Sequence, residues 1–183
     1  MRAGLCFARQ DVGMIFDFET PEAPNRISFV HGASSTPLSF QTVGGTLDGA
    51  AAHWGDRDAL IVRHQNVRWT YADLKSRADT LAASFISIGL VRGERIGIWA
   101  PNCSEWVAVQ FAAAKAGLIL VNLNPAYRIS ELEFALTKSG CKVLVSATRF
   151  KTSDYIAMLR ELLPEAATCT AGELRAARAA PLG

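Results

Sequence analysis

Residues 95–123 read RIGIWAPNCSEWVAVQFAAAKAGLILVNL, and the order of textures in this stretch decides the fold. Arg95–Ala100 is a short apolar run of strand length. Pro101 breaks it, and Asn102 is placed as the cap of a helix with Glu105 as its third residue. That helix runs through Trp106, Val109, Phe111 and Ala113 to Gly117. Leu118–Leu123 is then a strand, apolar throughout but for Asn122 rather than alternating, as expected of a strand covered on both faces. Strand, helix, glycine and strand make one βαβ unit, and such crossovers are right-handed.

The same order recurs on both sides of this unit, in kind though not in letters. Upstream, Leu47, Ala50, Ala51 and Trp54 recur at helical spacing until Gly55-Asp56 stops them. Two β-type runs follow, Ala59–Arg63 and Val67–Thr70, joined by His64-Gln65-Asn66 as a hairpin connection. Thr70 with Asp73 three places on is a variant capping box. It opens a helix whose apolar face is Leu74, Ala78, Leu81, Phe85 and Ile88. Gly89 supplies the left-handed residue at its end, and Gly93 makes the next turn. Downstream, Ser130 with Glu133 reads as a capping box, Leu132 and Leu136 share a face, and Gly140 ends the helix before a strand at Cys141–Ser146. A last helix is placed at Thr152–Leu163 on Tyr155, Ile156, Leu159 and Leu162. The predicted fold class is α/β, a mainly parallel sheet with helices on both faces.

Residues 1–27 read as an irregular leader and 28–164 as the folded subdomain. The irregular texture, with Pro37 and the small-residue stretch 32–36, persists to about residue 42. Residues 165–183 form an Ala-rich tail without an apolar stripe. Arg2 and Arg9 bracket an acid-free opening of the kind an organelle presequence has, but it is short and poor in Ser, and a plain irregular start is the simpler reading.

Half of the 183 residues are hydrophobic, which supports a core and excludes disorder for the chain as a whole. Nineteen basic against seventeen acidic residues are interspersed, so neither nucleic acid nor an anionic membrane is an expected partner. The most apolar window, Val107–Val121, is interrupted by Gln110, Lys115 and Gly117 and falls short of the ~18 residues of a membrane span. Cys6, Cys103, Cys141 and Cys169 form no C-x-x-C pair and do not cluster with His31, His53 or His64 in sequence. Reduced thiols and solvated histidines are expected, with no zinc site.

A P-loop, a dinucleotide fingerprint and a Gly-x-Ser-x-Gly elbow are each missing from the sequence. Gly44, Gly45 and Gly49 have the wrong spacing for a phosphate cradle and read as a helix start. Glu131 and Glu133 are two apart, do not share a helix face, and take capping and surface roles. The residues themselves therefore assign no catalytic, cofactor-binding or metal-binding side chain.

Three segments in order nevertheless carry a resemblance. Trp69-Thr70-Tyr71-Ala72-Asp73-Leu74 is similar to the first signature of the adenylate-forming (AMP-binding) enzymes. Ala114-Lys115-Ala116-Gly117, running through 118–121 into Asn122-Leu123-Asn124-Pro125, is similar to the second, and 93–102 matches the strand between them. Asn124-Pro125-Ala126-Tyr127-Arg128, Glu131-Leu132 and 139–145 resemble the fatty-acyl-CoA synthetase branch, and Phe29-Val30-His31-Gly32 its medium-chain members. The resemblance implies the amino-terminal, incomplete subdomain of that fold. For the complete enzyme it implies ATP, Mg²⁺, coenzyme A and a fatty acid, joined through an acyl-adenylate. The family's Pro-Lys-Gly loop and later acidic motifs do not occur here, so the chain is expected to be a fragment, inactive alone, with apolar surface left for the missing part or a partner chain. Lys115 lies in a helix that the family uses structurally, and no catalytic role is carried over to it. A non-catalytic binding module and a fragment of a sister adenylating enzyme (coumarate–CoA ligase-like, or a peptide-synthetase adenylation domain) are the alternatives. The cytoplasm is the expected compartment, with the mitochondrial matrix as the alternative.

Overall fold

A computed structural model describes residues 39–169; the leader with its Phe29–Gly32 resemblance, Cys6 and His31, and the tail from 170 onward lie outside the described residues. One compact unit begins at Thr42, where the sequence texture changes. Its central element is β3 (Arg95–Trp99), flanked in parallel by β4 (Ile119–Asn122) and β5 (Val143–Ser146). The strand order β4-β3-β5 means that the chain, having moved one way from β3, crosses back to its other side. Around this sheet lie α1 (Val43–Trp54), α2 (Tyr71–Ser87), α3 (Ser104–Lys115), α4 (Ile129–Ser139) and α5 (Tyr155–Leu162). Two small antiparallel hairpins complete it: β1 (Asp58–Val62) with β2 (Val67–Thr70), and β6 (Arg149–Phe150) with β7 (Ser153–Asp154).

Alternation along β3 explains why both faces are covered. Ile96 and Ile98 point to one side and pack with Phe85 of α2 and with Val109, Ala112 and Ala113 of α3. Trp99 points to the other and packs with Leu132 and Leu136 of α4 and Tyr155 and Leu162 of α5. Gly97 lies on that second side because space there is short. A Cβ on it would stand 3.1 Å from Leu144, 3.3 Å from Cys141 and 3.4 Å from Leu123. A third cluster, Leu47, Leu74 and Ala78, joins α1 to α2, with Val107 and Phe111 of α3 against it. The expected α/β architecture, a parallel sheet with helices on both faces, is the one observed.

Helix ends follow the sequence where short local signals set them. Thr70 and Asp73 form the reciprocal box, the Asp73 amide donating to Thr70 Oγ1 at 3.1 Å and the Thr70 amide donating to Asp73 at 3.0 Å. Those hydrogen bonds, with the Thr70 amide first, hold the Asp73 carboxyl below its ordinary range. Gly89, Gly93, Gly117 and Gly140 all adopt positive φ. At Gly117 (φ 72°) a Cβ would also meet Arg92 at 3.0 Å.

Other ends differ from expectation. Helix α3 is capped at Cys103, not Asn102, and the cap's own side chain makes no capping bond. At α4 the box is not Ser130 with Glu133: Arg128 is the cap, and Glu131 accepts from its amide at 3.0 Å. Glu131 lies three residues past the cap, the spacing that lets a carboxylate fold back. Helix α5 begins at Tyr155, not Thr152, because residues 149–154 turn back as the β6–β7 hairpin, with Lys151 at φ 50° in the bend. Strand β5 starts at Val143 rather than Cys141. Ile88 and Trp54, both counted on apolar faces, are exposed, and His53 sits in the last turn of α1 with its ring edge-on to Trp54 at 5.7 Å.

Candidate functional site

In an open parallel sheet, ligands sit beyond the carboxyl ends of the strands, at the point where the chain reverses its order. That point is the gap between β3 and β5, since β4 lies on the far side of β3. A crevice of about 870 Å³ opens there. Its walls are the segments leaving the strands: Ala100–Cys103 after β3, Pro125 after β4, and Ala147–Phe150 after β5. His64 and Gln65, from the turn between β1 and β2, close one end.

Each wall is fixed by hydrogen bonds from residues distant in sequence. Trp99 and Tyr155 are fully buried and stack with ring centroids 4.1 Å apart and planes 22° apart. Trp99 Nε1 donates to the Asn124 carbonyl at 3.0 Å, and Tyr155 Oη donates to the Pro125 carbonyl at 2.7 Å. Two aromatic donors therefore grip successive carbonyls of the loop leaving β4. Inside that loop Asn124 Oδ1 accepts from the Ala126 amide at 2.9 Å, an Asx turn. The Asn-Pro segment singled out in the sequence is thus a shaped wall of the crevice.

The start of α3 is held in a way that local sequence does not suggest. Gln65 Oε1 accepts from the Ser104 amide at 2.7 Å, and Gln65 Nε2 donates to Glu105 Oε2 at 2.8 Å. Gln65 can reach because Asn66 takes a left-handed conformation and closes the tight turn 63–65. The hydrogen bond from Gln65, ahead of the other causes, lowers the pKa of Glu105. Burial, as the largest cause, raises the thiol pKa of Cys103 beside it. The Ser104 amide, one of the donors at this helix end, is thus already taken by Gln65. Replacing Gln65 by Ala leaves a buried amide without its acceptor. We expect a loss of about 1 kcal/mol, the low end for such a group because truncating Gln65, which lines the crevice, opens the amide to solvent, and a Glu105 pKa returning toward the ordinary carboxylate value. Thermal melts and NMR titration of Glu105 check both; an unchanged Glu105 titration counts against the bond.

On the opposite wall Arg149 pairs with Asp154 at 2.8 Å, and Asp154 Oδ1 accepts from the Ala157 amide at 3.0 Å to cap α5. The bond from the Ala157 amide, then Arg149, keeps the Asp154 carboxyl below its usual range. Lys115, the lysine of the second signature, is remote from the crevice. It ion-pairs with Asp48 and, at 2.6 Å, with Asp79, fastening α3 to α1 and α2. Among the described residues, no group of three or more His, Cys, Asp and Glu is placed to hold a metal, and no helix is long and apolar enough to cross a membrane. Cys103, Cys141 and Cys169 are free and half-buried. Sequence reasoning passed over Gln65 and the paired role of Trp99 and Tyr155. The adjacent Asn66 was the one available hint for Gln65, and nothing local marked the aromatic pair.

Together, the parallel sheet covered on both faces and the switch-point crevice define a doubly wound α/β subdomain with a ligand-sized opening. The profile of the AMP-binding enzyme family matches residues 47–180, and the chain belongs to that family. It is 44% identical over 162 residues to the bovine medium-chain acyl-CoA ligase ACSF2, mitochondrial, a match covering 88% of this chain and 26% of that protein. It is 38% identical over 144 residues to the acyl-CoA ligase sidI of Aspergillus fumigatus, covering 79% of this chain and 24% of the relative. Among solved structures, a Rhodopseudomonas palustris protein assigned as a long-chain-fatty-acid CoA ligase superposes with a TM-score of 0.62 at 29% identity, over 78% of this chain and 33% of that one. The chain thus spans about a quarter of the length of the curated relatives it matches.

Proposed function

We propose that this chain is the first sheet and switch-point crevice of a fatty acid–CoA ligase. The whole protein would convert a carboxylate and ATP to an acyl-adenylate, and then, with coenzyme A, to an acyl-CoA and AMP. The single observation that supports this most is the 44% identity with a medium-chain acyl-CoA ligase across 88% of the chain. ATP, Mg²⁺ and coenzyme A are proposed for the whole protein, with a medium-chain fatty acid as substrate class. No catalytic side chain is assigned within residues 39–169. The hydrogen bonding of Thr70, Asn124 and Pro125, and the left-handed backbone of Gly117, support an architectural role for these four residues. The mitochondrial relatives favour the matrix over the cytoplasm as compartment. The exposure of Ile86 and Val91 beside Ile88, and of Phe134, supports association with further protein surface.

A segment exchange tests the reading. Residues 47–164 of this chain are placed in the bovine relative in exchange for its matching segment, and octanoate-dependent release of pyrophosphate from MgATP is measured. Retained release is the expected result. A folded, soluble exchange protein with no octanoate-dependent release would sink the proposal.

A further inference from the structure

We infer that Tyr155 is a positioning residue, a strut that fixes the separation of two walls of the crevice. Its main-chain amide donates to the Thr148 carbonyl at 3.1 Å, on the wall leaving β5. Its phenol donates to the Pro125 carbonyl at 2.7 Å, on the wall leaving β4. Thr148 and Pro125 both line the crevice, so one residue is bonded to both walls. The span between its two donors is set by a rigid ring and a single side-chain torsion, χ1, which burial and stacking hold in place. The ring is fully buried and stacked 4.1 Å from Trp99, which itself holds the preceding carbonyl, Asn124. One neighbouring bond acts the same way, Ser153 Oγ accepting from Arg128 Nη1 at 3.3 Å, while Asp154 pairs with Arg149 inside the β6–β7 hairpin. The crevice is therefore preformed, and its width does not depend on what enters it. The inference builds on the reading of the crevice as the place where reacting molecules meet; the measurement below concerns the strut itself and holds whether or not that reading stands.

The test is amide hydrogen exchange on the 183-residue chain and its Tyr155→Phe variant, which keeps the ring and removes one bond. In the native protein, the amides of Ala126 and Tyr127 should exchange slowly although Ala126 is exposed, because the loop carrying their acceptors is gripped. In Tyr155→Phe those two amides should exchange about tenfold faster, the factor corresponding to one hydrogen bond, while Ile96–Trp99 stay protected. Leu132→Ala, in the same core cluster, is the control for plain destabilisation and should speed exchange throughout the unit. A Tyr155→Phe pattern indistinguishable from that of Leu132→Ala would make Tyr155 an ordinary core residue and overturn the inference. Unprotected Ala126 and Tyr127 amides in the native protein would overturn it without any variant.

Discussion

Replacing Trp99 by alanine is expected to remove about 3–5 kcal/mol, a large part of the ~5–15 kcal/mol that holds a domain folded. Three losses coincide at this position. The indole is fully buried where α4 and α5 meet the sheet, so the cavity left behind lies among Leu123, Leu132, Leu136 and Leu162, which are held by the segment leaving β4, by α4 and by α5. The stack with Tyr155 disappears, worth roughly 0.5–1.5 kcal/mol beyond area burial. The Asn124 carbonyl also loses its indole donor and keeps only the Tyr127 amide, which loosens the crevice wall as well as the core. A fall of roughly 15 °C in the thermal midpoint is expected, at about 4 °C per kcal/mol for a unit of this size. Trp99→Phe should recover much of the packing but not the bond to Asn124. Calorimetry on both variants checks this; a Trp99→Ala protein melting within a few degrees of the native one would mean that α4 and α5 are not anchored through this ring.

Trp99 also shows how far the sequence could be read. Its strand, its helix-covered setting and the parallel order followed from apolar periodicity and glycine punctuation, because those patterns are local and repeat at the period of the element. The second side of the sheet was legible for the same reason, since Leu132 and Leu136 fall on one helix face. What remained hidden needed a partner far along the chain. Gln65 caps a helix 39 residues away, and Tyr155 bonds a carbonyl 30 residues away. No spacing rule encodes either contact. Asn102 and Ser130 suit the role of caps by residue type, yet at α3 a distant side chain, Gln65, does the work, and at α4 the start shifts so that Glu131 folds back on Arg128. The sequence places Thr152–Asp154 in the last helix and gives no sign of a hairpin, because the bend is made by Lys151 in a left-handed conformation, where glycine or asparagine would give notice. Ile88 extends the apolar face of α2 by one step too many, onto the cap position just before the turn at Gly89, and is exposed.

Lys115→Met is the second large effect, about 2 kcal/mol, because it unties three helices at one point. Lys115 retains 12% side-chain exposure, and its ammonium lies between Asp48 of α1 and Asp79 of α2, while Lys75 of α2 reaches Asp79 at 2.6 Å and Asp48 at 3.8 Å. Breaking a fully buried pair costs about 3–5 kcal/mol, but both carboxylates here keep more than two-fifths of their exposure and Lys75 stays behind, so the lower figure applies. Gly44 of α1 shows how closely the lysine stem is seated, since a Cβ there would come within 2.8 Å of Lys115 Cγ. The pH dependence gives the variant a signature that lost packing alone would not. Hydrogen bonds from Lys115 first and Lys75 second hold the Asp79 pKa below 3.8, so that stabilisation is complete above 3.8 and is lost as pH falls through the depressed folded value. Partial burial pulls the Lys115 pKa down, but the bonds to Asp48 and Asp79 more than reverse this and leave it above 10.5. Its contribution is therefore complete below 10.5 and is lost as pH rises through the raised folded value. Native stability should thus show an acid limb and an alkaline limb from this network. Lys115→Met should erase its share of the alkaline limb and shrink the acid one, with Lys75 supporting what remains. Urea melts across the pH range, at low and high salt, decide the matter: a variant with the native midpoint and the native acid limb would show that the helices are held by the Leu47, Leu74 and Ala78 contacts alone.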